Sequence, residues 1–280
     1  MTDPIVVGVD GSGRSLRALV WAAHEATLRH CPLRIIHVLP PAHSYATTEE
    51  GRVQEARNWD QGVVAEAIAI VQEAHPSLEV TSDLPSGNPA AVLLAEAEHA
   101  HTVVLGAKGT GGFGSLLLGS VALQVVGHAS SPVVIVNHIT TGHDRIVVGA
   151  DGSAHSRAAL SYAFDQASLR GAEVQAVHAW SHPEPHAYVS AAQDAMAKEH
   201  LQALEEWLAP LREEHPGVEV VEQVPDESPV IALARASDRA DLLVVGSRGL
   251  GGFHGLALGS VGHHLLQFSQ CPLAVIRPRT

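Results

Sequence analysis

Short apolar runs alternate with longer amphipathic stretches along the chain. In its first half the apolar runs are Ile5–Val9, Leu33–Val38, Leu78–Leu84, Thr102–Leu105 and Val133–Val136. Continuous β-branched runs of this length are typical of strands buried on both faces of a parallel sheet. The pattern therefore predicts five strands separated by helices.

Four helices are predicted between these strands, at residues 14–29, 53–74, 89–98 and 120–129. The first of them places four apolar residues on one face, namely Leu16, Leu19, Val20 and Ala23. The pair Asn88-Pro89 predicts an N-cap followed by proline at the first helical position. Ser228-Pro229 predicts the same arrangement later in the chain.

The second half of the chain repeats the first. "VVGVDGSGRSLRAL" begins at Val6 and "VVGADGSAHSRAAL" begins at Val147, and other segments match in the same order. The repeating unit, at about 140 residues, has the size of a domain and is far longer than a solenoid repeat. We therefore expect two domains, residues 1–139 and 143–280.

Alternating strands and helices with short connections imply right-handed crossovers and a parallel sheet covered on both faces. The predicted fold class is α/β, with two tandem doubly wound domains of five strands each. Ligands of such sheets bind beyond the carboxyl ends of the strands. The segments after strands one and four are therefore the first candidates for a site.

Composition narrows the classes of partner. The chain has 280 residues, 46% of them hydrophobic, and a formal net charge of −13. An acidic chain of this kind is unsuited to general binding of nucleic acid or an anionic membrane, although one small anion is still possible. With two cysteines, no long apolar segment and no signal-like N-terminus, we expect a cytoplasmic protein.

A glycine-rich loop follows the fourth strand in each half of the chain. The two loops are "GAKGTGGFGSLLLGS" from Gly106 to Ser120 and "GSRGLGGFHGLALGS" from Gly246 to Ser260. Glycines let backbone N–H groups approach an anion, and the helix that follows adds free N–H groups and a positive dipole end. Lys108, matched by Arg248, adds a charge, and Ser120 could cap the helix or donate its hydroxyl to a phosphate.

Two familiar phosphate motifs do not account for these loops. Neither loop has the G-x-x-x-x-G-K-[ST] spacing of a Walker loop. A dinucleotide fingerprint is present at Gly109, Gly111 and Gly114, but the second copy has His254 in place of the last glycine. What the copies share is G-x2-G-x9-G-S.

This shared pattern resembles the universal stress protein family, in its ATP-binding branch. The resemblance covers nearly the whole chain and includes "VVGVDGS" and "VVGADGS", "IIHVL" and "AVHAW", and "SPVVIV" and "CPLAVI". It implies that Asp10 and Asp151 lie at the nucleoside, near ribose and adenine. It also implies that the backbone of Val38 and Ala179 contacts adenine, and that the glycine loops hold the phosphates.

The candidate nucleotide-binding residues fall at the ends of strands one and two and in the glycine loops. They are Gly8, Asp10, Val38, Gly106, Lys108, Gly109, Gly111, Gly112, Gly119, Ser120, Val121, Gly149, Asp151, Ala179, Gly246, Arg248, Gly249, Gly251, Gly252, Gly259, Ser260 and Val261. The resemblance further implies the strand order 3-2-1-4-5 and pairing of the two domains through strand five. Dimers of the whole chain are also compatible with it.

Simpler interpretations exist for the same residues. The glycine loops could be plain turns, Asp10 and Asp151 could be N-caps or turn formers, and Lys108 and Arg248 could be solvated charges. The histidines show no spacing typical of a zinc site, so we expect no protein-held metal. His37 and His178 are expected to pack or form hydrogen bonds within strand two.

Three functions remain open from the sequence. The first is a nucleotide-dependent stress-response protein that binds one ATP per domain, with Mg²⁺ as a companion. The second is a slow ATPase or a nucleotidyl-transfer enzyme, although the loops contain no Asp, Glu or Cys to act as a base. The third is a protein-interaction module whose loops are structural.

Overall fold

The computed structural model describes residues 2–39, 50–109, 118–181, 190–251 and 257–278. In the two long helices, which begin at residues 50 and 190, side chains are described from residues 58 and 194 onwards. The chain divides into two compact units, Met1–Asn137 and His138–Thr280. The domain bounds proposed from the sequence, 139 and 143, lie a few residues beyond this division.

The first unit alternates strands and helices throughout. Its elements are β1 (Ile5–Gly8), α1 (Gly13–Arg29), β2 (Leu33–Ile36), α2 (Glu50–Ala74), β3 (Val80–Asp83), α3 (Pro89–Ala97), β4 (Thr102–Gly106), α4 (Ser120–His128) and β5 (Val133–Val136).

The second unit repeats this order. Its elements are β6 (Arg145–Gly149), α5 (Ala154–Arg170), β7 (Glu173–Val177), α6 (Ser190–Glu214), β8 (Val220–Gln223), α7 (Pro229–Ser237), β9 (Leu242–Gly246), α8 (Ser260–Phe268) and β10 (Leu273–Ile276).

All strand pairs within a unit are parallel. In the first unit the order is β3-β2-β1-β4-β5, with Val7 opposite both Ile35 and Val104. The second unit has the corresponding order β8-β7-β6-β9-β10. The order reverses beside β1 and β6, which confirms the predicted doubly wound α/β class. Pairing of the units through their fifth strands stays a prediction.

The sheet forms the core of each unit because its central strands are covered on both faces. The first four residues of β4 are buried, as are the first three of β1, whereas β3 alternates between partly buried and exposed residues. Full burial favours β-branched residues at consecutive positions, and a strand with one exposed face shows the alternation.

Helix α1 packs against this sheet with a face slightly different from the predicted one. Leu19 and Ala23 are buried, but Val20 is 46% exposed and Leu16 is only partly buried. The buried stripe instead includes Ala18, Ala22 and Ala26. Small alanines are favoured there because they allow the helix to approach the sheet closely.

Helices α3, α4 and α7 begin at the predicted residues, whereas α1 and α2 begin one and three residues earlier than predicted, and two of the suggested side-chain caps are not formed. Asn88 caps α3 by accepting hydrogen bonds from the N–H groups of Ala90 and Ala91, at 3.0 and 3.1 Å. Ser228 stands at the same place before α7, yet its side chain forms no cap hydrogen bond. Ser120 does not cap α4 either, because Gly119 is the N-cap residue and Ser120 already has helical geometry.

Both cysteines are free thiols inside their own unit. Cys31 and Cys271 are buried, and burial raises the pKa of Cys271 to about 12. In the part of the chain that the structure describes, no helix combines the length and apolar character needed to cross a bilayer.

Candidate functional site

A cavity opens at the carboxyl ends of β1 and β4 in the first unit. Its volume is about 410 Å³. The candidate residues that line it are Gly8, Asp10, Val38, Gly106, Lys108, Gly109, Gly119, Ser120 and Val121. Segments that are far apart in the sequence therefore meet at one place, at the end of the sheet where the strand order reverses.

The second unit has a matching cavity of about 440 Å³. Its candidate residues are Gly149, Asp151, Ala179, Gly246, Arg248, Gly249, Gly251, Gly259, Ser260 and Val261. The remaining candidates, Gly111, Gly112 and Gly252, lie outside the described residues. We call these two spaces the first and the second cavity.

An aspartate shapes the turn after the first strand of each unit. Asp10 Oδ1 accepts a hydrogen bond from Ser12 N at 3.1 Å, and Asp151 Oδ1 accepts one from Ser153 N at 3.0 Å. The following serines, Ser12 and Ser153, are the N-caps of α1 and α5. Each aspartate is therefore a turn former and not a cap.

Asp151 is also held against the glycine loop. Its Oδ2 accepts a hydrogen bond from Leu250 N at 2.9 Å. Burial raises the pKa of Asp151, but hydrogen bonds from Ser153, Leu250 and Ser156 outweigh that effect and leave the pKa below its usual value. The carboxylate is therefore ionised at neutral pH.

The glycines of the shared pattern are required by close packing. A Cβ on Gly109 would overlap Asp10 Oδ2, and a Cβ on Gly249 would overlap Asp151 Oδ2. A Cβ on Gly106 would lie 2.8 Å from the carbonyl carbon of Arg14, which belongs to the backbone of α1. Only glycine lets the loop, the aspartate and the first helix of a unit meet.

Each loop is closed by a backbone hydrogen bond before the next helix begins. Gly119 N donates to Ala107 O, and Gly259 N donates to Ser247 O, both at 2.8 Å. The helices α4 and α8 then begin without any side-chain cap. Their first N–H groups and positive dipole ends are left to face the cavities, which is the arrangement that binds anions at helix N-termini.

Each glycine loop contains one basic residue near its start. Lys108 and Arg248 are partly buried in the lining of the first and second cavity, so they are not plain surface charges. Among the described residues, Arg248 Nε is buried without a hydrogen-bond partner. Buried donors of this kind are rare, and they indicate a missing acceptor.

The histidine that follows the second strand links the ends of two strands. His37 Nδ1 contacts Val9 O, and His178 Nδ1 contacts Ala150 O, both at 2.8 Å. His37 also lines the first cavity. Both histidines form hydrogen bonds, as predicted, although each lies just beyond its strand.

The universal stress protein family model matches residues 1–137 and again residues 142–277. The chain belongs to the universal stress protein family. As a tandem universal stress protein, it carries two complete copies of the family domain.

Individual relatives agree with this assignment over nearly the full length. A universal stress protein of Mycolicibacterium smegmatis is 35% identical, with 98% of this chain and 97% of the relative covered. One from Mycobacterium tuberculosis is 36% identical, with 98% and 96% covered. The crystal structure of a universal stress protein from Archaeoglobus fulgidus aligns with a TM-score of 0.73 at 23% identity, covering 98% and 96%, which supports the fold.

Several residues that line the cavities were not predicted from the sequence. In the first cavity these include Trp59 and Asp60 of α2, and in both cavities a proline and a leucine of the third helix. These last residues are Pro89, Leu93, Pro229 and Leu233. Matching prolines in the two halves were a usable signal, but the long helices differ between the copies and offered none.

Among the residues that the structure describes, no group of three His, Cys, Asp or Glu side chains is placed to hold an ion. The segment His182–His186 lies outside those residues. His264 Nδ1 contacts Ser260 O at 2.7 Å, so this ring is engaged by its own helix.

Proposed function

We propose that each unit of this universal stress protein binds one adenine nucleotide, ATP with its Mg²⁺, and that occupancy regulates the protein. One observation carries the proposal. In both units, a turn-forming aspartate and a glycine loop with an uncapped helix N-terminus line the same cavity. This pairing supplies a polar nucleoside end and an anion-binding end within one space.

The size and donor set of the cavities suit such a ligand. Small-molecule sites are mostly apolar clefts of about 300–1,000 Å³, and both cavities, at about 410 and 440 Å³, lie in this range. The unpartnered Arg248 Nε supplies a donor that a phosphate oxygen would satisfy. The Mg²⁺ would be held chiefly by the phosphates, as is common for this ion.

Roles follow from position in the cavity. Asp10 and Asp151 are proposed to contact the ribose, and the backbone of Val38 and Ala179 to contact adenine. The phosphates would lie against the glycine loops and the first turns of α4 and α8. The residues proposed for them are Gly106, Gly109, Gly119, Ser120, Val121, Gly246, Gly249, Gly259, Ser260 and Val261.

The hydrogen bonds of the Asp151 carboxylate favour a regulatory role over efficient catalysis. Asp151 accepts hydrogen bonds from Ser153 N and Leu250 N, so its oxygens are engaged in holding the turn and the loop. A general base must instead reach the proton that it removes. A ligand that prefers one arrangement of the loops shifts the protein towards that arrangement, and this requires no turnover.

The proposal is tested by changing the glycines that admit the aspartates. Gly109→Ala with Gly249→Ala places a methyl group against each carboxylate and should weaken ATP binding by at least about tenfold. Gly62→Ala with Gly217→Ala is the matched control, because nothing lies within 4 Å of the added methyl groups. Isothermal titration calorimetry of both double variants and the parent measures the effect.

Two results would contradict the proposal. One is a parent protein that neither co-purifies with an adenine nucleotide nor binds added ATP. The other is equal ATP affinity in the two double variants. Rapid multiple turnover of ATP by the parent would instead favour the enzymatic alternative.

A further inference from the structure

The second cavity has one arginine in its lining, Arg248, and a second arginine, Arg277, close to the first arginine. Arg248 follows β9, and Arg277 follows β10. These strands are neighbours, with Gly246 opposite Ile276, and Ser247 N donates to Ile276 O at 2.8 Å. The two arginines therefore leave the sheet side by side, at the edge where the cavity opens.

Arg277 reaches from its strand to the returning end of the glycine loop. Its Nη2 donates to Ala257 O at 2.8 Å, two residues before the helix cap Gly259. Arg248 lines the cavity itself. The two side chains thus lie at the two ends of the glycine loop, Arg248 in its outgoing part and Arg277 against its returning part.

Three basic side chains, Arg248, Arg277 and His155, lie near one another in this region. Burial and then the charge of Arg248 lower the pKa of Arg277. Burial lowers the pKa of His155 as well, followed by the charges of both arginines, while Asp151 acts in the opposite direction. Asp151 already accepts hydrogen bonds from Ser153 and Leu250. Neighbouring cations repel one another when they are partly buried, and a bound anion removes that repulsion.

The first unit is built differently at the same place. Lys108 stands where the second unit has Arg248, and Asn137 follows β5 as Arg277 follows β10. The nearby Arg17 uses its Nε to donate to Asn137 O at 3.1 Å. Arg14 takes the position of His155, with an exposed side chain. The first unit therefore has no guanidinium group at either of the positions that Arg248 and Arg277 occupy in the second unit.

We propose that Arg248 and Arg277 form a clamp for the outer phosphates of a nucleoside polyphosphate, so that the second unit selects ligands by phosphate number. This rests on the proposed function, and it adds which nucleotides the second site distinguishes. Guanidinium groups offer planar pairs of donors that match phosphate oxygens, whereas the lysine of the first unit offers a point charge. A nucleoside monophosphate has no outer phosphate for the clamp to hold.

The test compares ATP, AMP and inorganic triphosphate on the full chain by calorimetry. Arg277→Asn installs the residue that the first unit carries at this position. It should lower the affinity of one site for ATP and for triphosphate by about tenfold, because a charge-assisted pair of hydrogen bonds is lost. The affinity for AMP should be unchanged, which shows that the site is still folded.

Two further variants separate the clamp from its surroundings. Arg248→Lys keeps the charge but removes the fork, so it should also lower the ATP-to-AMP affinity ratio. Arg170→Asn makes the same charge change in the last turn of α5, at the opposite end of the helix from the cavity, and should leave the ratio unchanged.

The outcomes distinguish this proposal from the proposed function. Equal losses for ATP and AMP in Arg277→Asn, or no loss for either, would overturn the clamp while nucleotide binding stands. Binding of triphosphate that depends on Arg277, without binding of ATP or AMP, would support the clamp and overturn the nucleotide proposal. A parent that binds none of the three overturns both.

Discussion

The histidine beyond the second strand meets a different partner in each unit. In the first unit, His37 Nε2 lies 2.9 Å from Asp60 Oδ1, and both side chains are buried. In the second unit, His178 Nε2 lies 2.9 Å from Nδ1 of His200. The ring and its backbone partner are the same in both units, so the long helix alone sets the difference.

This difference changes the chemical surroundings of the ring. In the first unit, its two nitrogens face the backbone oxygen of Val9 and the carboxylate of Asp60. In the second unit, burial and then the neighbouring His200 lower the pKa of His178. His178 is therefore neutral near pH 7, and its Nε2 accepts the Nδ1–H of His200. The same histidine position thus faces a carboxylate in one copy and a second imidazole in the other.

The tryptophan beside the aspartate turn also differs between the units. Trp59 lies against Gly11 and is 53% exposed, whereas Trp207 lies against Gly152 and is partly buried. The two tryptophans occupy different turns of their helices, because Asp60 in α2 corresponds to His200 in α6. The same surface of the turn is therefore covered from two different places on the long helix.

The largest expected effect comes from adding a methyl group at this turn. Gly152 has a φ of +79°, and a Cβ there would lie 2.6 Å from the ring of Trp207. Gly11 has a φ of +76°, but the nearest atom, on the exposed Trp59 ring, lies 3.1 Å away. We expect Gly152→Ala to lower the free energy of unfolding by about 3 kcal/mol and Gly11→Ala by about 1 kcal/mol. Urea unfolding measures both, and equal losses would contradict the role assigned to Trp207.

A smaller effect is expected from exchanging the histidine partners. The pKa of His178 lies below the value of 6.5 that it has when unfolded, so at acid pH the unfolded chain binds more protons than the folded one. The contribution of this group to stability is therefore lost as pH falls through about 6.5 and below. His200→Asp should reverse this, because a carboxylate favours the protonated ring.

The measurement is the change in the free energy of unfolding between pH 7.5 and pH 5.5. We expect His200→Asp to reduce the acid loss by roughly 1 kcal/mol and Asp60→His to increase it by a similar amount. Comparing two pH values removes the pH-independent loss of stacking between His200 and Trp180, whose ring centroids are 4.9 Å apart. Identical pH dependence in the parent and both variants would rule out this account.

The smallest effect distinguishes the two caps of the third helices. Asn88→Ala removes two hydrogen bonds to the N-terminus of α3 and should cost about 1 kcal/mol of unfolding free energy. Ser228→Ala removes no cap hydrogen bond and should cost less than about 0.3 kcal/mol. Thermal unfolding of the two single variants is sufficient, and a cost for Ser228→Ala as large as that for Asn88→Ala would contradict the structure.

The elements that could be predicted are those whose position depends only on the local sequence. Buried parallel strands favour continuous β-branched runs, so β5 begins and ends at the predicted residues. The loops were placed at the strand ends because both copies share one glycine spacing. The predicted reason for that spacing was incomplete, since Gly109 and Gly249 also make room for Asp10 and Asp151.

The rest depends on contacts between distant segments. Asp60 becomes part of a cavity only because α2 packs over the end of β2, and no spacing within the helix reveals this. Arg277 stands where the other copy has Asn137, so a comparison of the two copies passes over it. Val20 was predicted on the buried face because its position fits the helical period. The alanines Ala18, Ala22 and Ala26 approach the sheet closely, and the buried face is therefore centred on them and leaves Val20 exposed.

The hydrogen bonds that close the two glycine loops have a consequence for the history of such domains. Gly119 N to Ala107 O, and Gly259 N to Ser247 O, join the two ends of each loop through main-chain atoms alone. The residues between those ends can then be exchanged, lengthened or shortened without loss of the junction, because loop-closure entropy grows only slowly with length. After a gene duplication, the sequence of this segment is therefore free to diverge between the copies while the junction at its two ends stays the same.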